Sequence, residues 1–387
     1  MYKSLSESFS QTYGIKPDRV FFCPGRVNLM GEHLDYNGGT VMPCSISMGT
    51  YLAVSVRDDK EIHFRSLNQD LIGNWNLENP IEGKGGNWMD YPLGIIKYIQ
   101  EIEEIPNGLN LLYQGDIPLG SGLSSSASLE ILTAFALNQL FEVGFSRMDL
   151  ILMAKRVENE FIGLNSGVMD QFSVTMGQKD KALVLNCQSL HYRTVPIELA
   201  PYSLVIMGTN KQRQLSESKY NERVKECETA LKDLQKNVKI QFLCDLDLKT
   251  FLSLKWEIKD KIAGKRAHHV VSENERVALS EKALKEGNLN QFGNLMYASH
   301  ESLKTLYEVS GLELDTLVEY CRKDENVLGA RMTGAGFGGC AIALIKTHHF
   351  MDFKEGIEKF YLKKIGYTPS LYLSEIGDGV HELNHIG

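Results

Sequence analysis

The stretch Gly120-Ser121-Gly122-Leu123-Ser124-Ser125-Ser126-Ala127-Ser128-Leu129-Glu130 decides how this chain is organised. An apolar run over residues 109–113 precedes it. A helical run over 127–140 follows, with Leu129, Leu132, Thr133, Ala136 and Leu140 at helical spacing. The stretch is therefore a loop feeding a helix N-terminus. Its glycines let backbone approach a ligand closely. Its three consecutive serines offer hydroxyls and N–H groups where a first turn has unpaired donors and a partial charge of roughly +0.5. Phosphate suits such a place. The Gly-Lys-Ser/Thr ending of a Walker loop is missing, so no lysine is built in for the β- and γ-phosphates. A serine N-cap on an ordinary amphipathic helix has the same composition, and the stretch alone leaves both readings open.

The 387 residues, 43% hydrophobic, allow two or three domains with sizeable cores. Forty-one basic against 49 acidic residues, formally −8, leave no electrostatic footprint for nucleic acid or an anionic membrane. Small molecules are the expected partners. Seven cysteines (23, 44, 187, 227, 244, 321 and 340) form no CxxC pair, which argues against a zinc site or a disulfide framework. They read as free thiols in a reducing cytoplasm. The first residues hold no apolar core for a signal peptide, and no apolar run reaches the ~18 residues that span a bilayer. A soluble, cytoplasmic protein is expected.

Residues 20–57 read as strand, loop, strand, and the loop over 23–39, CPGRVNLMGEHLDYNGG, packs Arg, Glu, His, Asp, Tyr and Asn between glycines. Such a loop is poor core material. Glu32, His33 and Asp35 can exchange hydrogen bonds with vicinal hydroxyls, as a sugar requires. Metal ligation is a rival use, weakened by the single histidine, and a solvated turn is the third. Residues 50–57 alternate as a strand, with 62–66 as the expected hairpin partner. Trp75 and Trp88 offer either an aromatic wall for a base or ordinary core, and 92–104 reads as a helix. A capping-box-like start at Ser146 opens a helix ending near Gly163. Glu158 lies late in it, and the loop 164–171 follows with Asp170. One carboxylate can ligate Mg²⁺ while the other orients a nucleophile, as phosphoryl transfer needs; surface carboxylates are the plain alternative.

Residues 182–185 and 204–207 read as strands flanking a domain boundary, giving units of 1–200 and 201–387. The charged helical run over 255–276 reads as a solvated face. The last glycine cluster, 332–340, satisfies GxGxxG from Gly334 to Gly339. A dinucleotide fingerprint needs a helix straight after it, and 340–345 is a strand instead, so a close-approach loop remains.

Three glycine-rich segments, one per third of the chain, carry a resemblance. CPGRVNLMGEHLDYNGG resembles the galactokinase signature. GLSSSAS and MTGAGFGGC resemble the ATP-binding and third motifs of the wider GHMP kinases, which act on galactose, homoserine, mevalonate and phosphomevalonate. SGVMDQF, SESKYNER, RAHHVVSENER and SHESLKTLYEVS extend the resemblance over nearly the whole chain.

The resemblance implies an α+β, two-domain fold: an N-terminal domain like domain 2 of ribosomal protein S5, a ferredoxin-like C-terminal domain, and the site between them. It implies ATP- and Mg²⁺-dependent phosphorylation of α-D-galactose at the anomeric hydroxyl, committing galactose to the Leloir pathway. ATP would lie on Gly120, Ser121, Gly122, Leu123, Ser124, Ser125 and Ser126, with Ser66 and Trp88 bordering the adenine. Mg²⁺ would be held by Ser126 and Glu158. Asp170 would accept the hydroxyl proton, and Arg26 would pair with Asp170 and stabilise the transferring phosphoryl group. Glu32, His33, Leu34, Asp35, Gly167 and Tyr220 would read the sugar, and 333–339 would close over phosphates and C1. The partners implied are galactose and ATP, with no nucleic acid or membrane, for a monomer. Leu34 stands where galactokinases usually have threonine and N-acetylgalactosamine kinases an apolar β-branched residue, which makes the latter activity one alternative. Asn186 and Gly311 replace a frequent aspartate and cysteine. Non-catalytic sugar sensors are the other alternative; they lose residues of the serine loop that are present here.

Overall fold

The computed structural model describes residues 2–118, 121–164, 166–211 and 216–383. Its centre is the strand Leu109–Gly115, whose first five residues are all buried. A strand so apolar belongs in the middle of a sheet, and its neighbours on the two sides are Pro43–Val56 and Glu61–Ser66. The full sheet runs His381–Glu382, Arg19–Asn28, Pro43–Val56, Leu109–Gly115, Glu61–Ser66, Gly73–Asn76. The hairpin expected between 50–57 and 62–66 is therefore not formed. Glu61–Ser66 instead lies parallel to Leu109–Gly115, with Ser66 opposite Tyr113.

Strand alternation sends side chains to both faces of this sheet. Val20, Ala53 and Leu112 meet Leu5 and Phe9 of the helix Tyr2–Tyr13 on one face. Phe21, Leu52 and Leu111 enter the main core on the other, where the helices Ser125–Leu140 and Met169–Met176 pack. A second sheet, ordered Val327–Thr333, Cys340–Lys346, Tyr202–Gly208, Ser370–Ser374, is antiparallel throughout. The helices Lys261–Lys285, Leu289–Ser302 and Gly311–Lys323 belong with it. Three short strands, Thr40–Val41, Lys181–Asn186 and Tyr192–Pro196, form a third sheet. The last described strand returns to the first sheet, pairing Phe21 with Glu382 and Phe22 with His381.

Two further expectations change in the structure. The segment 23–28, read as loop, continues the strand Arg19–Asn28 through an irregularity in pairing between Pro24 and Arg26. A bulge there re-aims the side chain that follows it. The charged helical run is also more than a solvated face: Arg266, His269 and Glu273 of Lys261–Lys285 are buried. Glu273 Oε1 accepts from Gly31 N (3.0 Å) and Ser299 Oγ (2.6 Å), and its Oε2 accepts from Arg276 (2.6 Å). Buried charge is tolerated when so partnered.

The bulge works only because residue 25 is glycine. A Cβ there would sit 2.7 Å from the Leu123 carbonyl oxygen, the group that accepts from Arg26 N at 3.1 Å. Gly25→Ala is therefore expected to lower unfolding free energy by about 1–3 kcal/mol, the range for overpacking a closed site. Denaturant unfolding measures it, and a variant within experimental error of the parent contradicts the close approach.

Candidate active site

The serine loop delivers its helix in an unusual way. Ser124, the N-cap of Ser125–Leu140, is left-handed (φ 62°, ψ 46°) and its side chain caps no backbone N–H. Its hydroxyl donates instead to Asp170 Oδ2. The plain N-cap reading is therefore excluded for Ser124, which leaves first-turn N–H groups without a cap from that residue.

Asp170 opens the helix Met169–Met176 and faces Arg26 across the bulge. Arg26 Nε donates to Asp170 Oδ1 and Nη2 to Oδ2, both at 2.8 Å, and Nη1 donates to the Gly122 carbonyl at 2.8 Å. A guanidinium suits this job because its planar fork matches a carboxylate in two parallel bonds and keeps a donor for a third partner. Arg26 is almost wholly buried, while the Asp170 side chain remains 31% exposed towards a cavity.

That cavity, of about 340 Å³, is lined by Arg26, Gly122, Ser124, Ser125, Ser126, Glu158 and Asp170 and by Glu32, His33, Asp35, Gly167 and Tyr220. Gly334 and Ala335 also reach it. Glu158 sits in the π-turn Val157–Ile162 after the capped helix; Ser146 accepts from Asp149 N as a capping box requires. Glu158 Oε1 accepts from Ser126 Oγ (3.0 Å) and Oε2 from Ser166 Oγ (2.6 Å). Burial raises its carboxyl pKa, opposed by the Ser166 hydrogen bond. A hydroxyl and a carboxylate held 3.0 Å apart are hard oxygen donors of the kind Mg²⁺ prefers. Among the described residues no group of three or more His, Cys, Asp or Glu could hold a metal by itself, so phosphate and water oxygens would have to complete such a shell.

The polar loop is fixed from the other half of the chain. Glu32 Oε1 accepts from Gly334 N at 2.7 Å, and Arg331, fully buried, lies 3.6 Å from the same oxygen. Burial raises the Glu32 pKa, with Arg331 and Arg26 opposing. His33 is left-handed (φ 65°), and Asn37 Nδ2 ties its carbonyl at 2.8 Å. Burial, then His269 and Arg223, lower its pKa to about 3, so the imidazole is neutral. Asp35 explains a glycine: a Cβ at residue 167 would fall 2.0 Å from its Oδ2. Burial, with Asp170 and Glu32 nearby, pushes the Asp35 carboxyl up to about 7. The glycine cluster at 334–339 joins two antiparallel strands, Val327–Thr333 and Cys340–Lys346, so the rejected dinucleotide reading has no helix to rest on.

Several expected site residues lie elsewhere. Leu34 is fully buried in the core, Ser121 and Leu123 are buried beside the loop, and none of the three lines the cavity. Ser66 accepts from Asn68 N and also lies outside it. Trp88 packs edge-on to Phe64 and Tyr113 and donates to the Leu71 carbonyl, while Trp75 packs against the core. Gly120 and Asn165 fall outside the described residues. The sequence reading missed Ser166, although it opens the segment SGVMDQF and lies between Glu158 and Asp170. It also missed Asn221, the neighbour of Tyr220 in SESKYNER, and Tyr91, which lines the cavity without a motif of its own.

The Asp35 environment sets a pH dependence. Its folded pKa of about 7 exceeds the ordinary 3.8, so the folded state holds the proton more tightly than the unfolded chain. Its contribution is intact below pH about 4 and is lost as pH rises towards 7. Asp35→Asn removes that loss. The variant is expected to unfold at a higher temperature than the parent by a margin that grows between pH 4 and 7 and is flat above. Thermal unfolding of the ligand-free proteins across pH checks this, and a pH-independent margin contradicts it.

Known proteins resemble this chain over nearly its whole length. The galactokinase galactose-binding signature matches residues 7–56, the GHMP kinase N-terminal domain residues 90–178, and the GHMP kinase C-terminal domain residues 280–350. The chain is 48% identical over 385 residues to a galactokinase of Streptococcus thermophilus, covering 98% of this chain and 99% of that one. It is 47% identical over 383 residues to one of Clostridium perfringens, with the same coverage. The crystal structure of Lactococcus lactis galactokinase complexed with galactose superposes with a TM-score of 0.95 at 44% identity, over 99% of this chain and 100% of that one. The Methanococcus jannaschii mevalonate kinase, 22% identical with a TM-score of 0.67, shares the fold. The chain has the two-domain GHMP kinase fold and belongs to the galactokinase family of kinases.

Proposed function

We propose that this protein transfers the γ-phosphoryl group of ATP to the C1 hydroxyl of α-D-galactose, giving galactose 1-phosphate and ADP. The observation that carries this reading is the meeting of three sets of groups in one cavity: the Arg26–Asp170 pair, the serine loop, and the Glu32, His33, Asp35, Gly167 and Tyr220 cluster. The relatives above at 44–48% identity are galactokinases, one complexed with galactose, and they favour neither N-acetylgalactosamine as substrate nor a non-catalytic sensor.

In this reading Asp170 receives the proton of the attacking hydroxyl as the new O–P bond forms and the bond to ADP breaks. A carboxylate is a weak base for a sugar hydroxyl. It suffices because a loose transition state requires little proton transfer before the phosphoryl group has separated from ADP. Arg26 fixes the carboxylate by two hydrogen bonds and brings positive charge beside the transferring group. The backbone from Gly120 to Ser126 takes the phosphates at the uncapped helix start. Mg²⁺, held by Ser126 and Glu158, would neutralise phosphate charge. Glu32, His33, Asp35, Gly167 and Tyr220 read the sugar hydroxyls, with Leu34 buried in the core beside them, and Leu123 belongs with the phosphate-binding backbone. Ser66 is assigned to the adenine side, supported by its place opposite Tyr113 at the sheet end from which the phosphate loop departs. The functional units are 1–200 and 201–387. We place the protein in the cytoplasm as a monomer: its cysteines are free thiols, and no helix among the described residues is long and apolar enough to cross a membrane.

Turnover of ATP with Mg²⁺ over galactose, N-acetylgalactosamine, glucose and mevalonate, with phosphorus NMR of the product, tests the proposal. Galactose is expected to react fastest and to give the 1-phosphate. Preference for another sugar, or no ADP formed, would overturn it. Asp170→Ala should lower kcat by about 10²–10⁴-fold, the range for a positioned base, with a much smaller change in galactose affinity. Near-normal turnover would remove Asp170 from the chemistry.

A further inference from the structure

Four polar side chains from three distant segments form a chain of hydrogen bonds that ends in the cavity. His33 Nδ1 lies 2.8 Å from Tyr36 Oη, Tyr36 Oη 2.8 Å from Tyr307 Oη, and Tyr307 Oη 3.2 Å from Cys227 Sγ. Tyr307 is fully buried in the π-turn Leu303–Tyr307, its ring packed 4.6 Å from both His33 and His269. Cys227 lies on the helix Ser216–Leu234, seven residues after Tyr220. The other imidazole nitrogen, His33 Nε2, is buried with no hydrogen-bond partner among the described residues, and His33 lines the cavity.

We infer that Tyr36 and Tyr307 are positioning residues for sugar recognition: with Cys227 they hold His33 in the tautomer that presents Nε2–H, as a donor, to a sugar hydroxyl. The inference rests on the cavity being the sugar site.

The hydrogens can be counted. A neutral imidazole has one N–H, and each phenol and the thiol carries one more. All three keep them: burial raises both tyrosines well above their ordinary range and the Cys227 thiol to about 12. Directed towards His33, the thiol donates to Tyr307, Tyr307 to Tyr36, and Tyr36 to Nδ1. Every link then has one hydrogen, and the ring proton is left on Nε2. Directed the other way, the thiol hydrogen has no further acceptor in the chain and the cavity meets a bare lone pair. A phenol is also the better acid and an imidazole the better base of that pair, which favours Tyr36 as donor. His33 alone is free to turn its polarity either way; the chain behind it removes that freedom.

Nitrogen-detected NMR of the ligand-free protein reads the tautomer directly and needs no substrate. His33 is expected to show a protonated Nε2 and an unprotonated Nδ1; the reverse assignment overturns the inference. Kinetics supply the second readout. With the parent enzyme, the deoxygalactose lacking the hydroxyl that faces His33 should have a raised KM. In Tyr36→Phe and Tyr307→Phe, the galactose KM should rise about fivefold to tenfold, the worth of one buried hydrogen bond, with kcat within about twofold. The penalty for that one deoxygalactose should shrink while those for the other deoxygalactoses persist. An unchanged KM, or an equal rise for every sugar as general loosening would give, contradicts the assignment. If the parent turned over no galactose, the proposed function would fail, and the NMR result would still decide the tautomer.

Discussion

One buried guanidinium holds the site together. Arg26 binds both oxygens of Asp170 and the Gly122 carbonyl, so a strand end, a helix start and the serine loop meet on a single side chain. Each partner comes with its own constraint. The strand must bulge at Pro24 to Arg26, and the loop must lie close enough that only glycine fits at 25. Ser124 must turn left-handed so that its hydroxyl reaches Asp170 rather than its own helix. A guanidinium buried to this degree is tolerable only with its donors satisfied, and the same bonds that satisfy it orient the carboxylate.

The Glu32 side of the cavity depends on the far half of the chain in the same manner. Glu32 receives the Gly334 N–H, Gly31 N donates to Glu273, and Arg331 lies between the two carboxylates, 3.6 Å and 4.0 Å away, while donating to the Asn28 carbonyl. The polar loop is thus clamped by the glycine hairpin and the Lys261–Lys285 helix together. This arrangement gives the hairpin two roles, lining the cavity at Gly334 and Ala335 and fixing the Glu32 carboxylate.

Sequence carried the elements and the cast of residues, because glycine punctuation and apolar periodicity are local signals. The helix after the serine loop, the strand after 339 and the Glu158/Asp170 neighbourhood all read correctly for that reason. What escaped was set by partners far along the chain. Pro24 and Gly25 read as loop because nothing local shows that they bulge a strand against Pro43–Val56. The 62–66 strand looked like the next hairpin arm, yet Leu109–Gly115, more apolar and later in the chain, takes the place between. Glu273 read as solvated because its partners Gly31 and Ser299 are not its neighbours in sequence, nor is Arg331. Leu34 sits among polar site residues but points into the core, a distinction that composition cannot make.

The central claim is that Arg26 and Asp170 act as one unit, and a double-substitution cycle measures it. Single-turnover phosphoryl transfer would be followed in the parent, Arg26→Gln, Asp170→Asn and the double variant. Each single change is expected to slow transfer severely, and the second change to cost little once the first is made. Losses that simply multiply would show two independent residues and contradict the account.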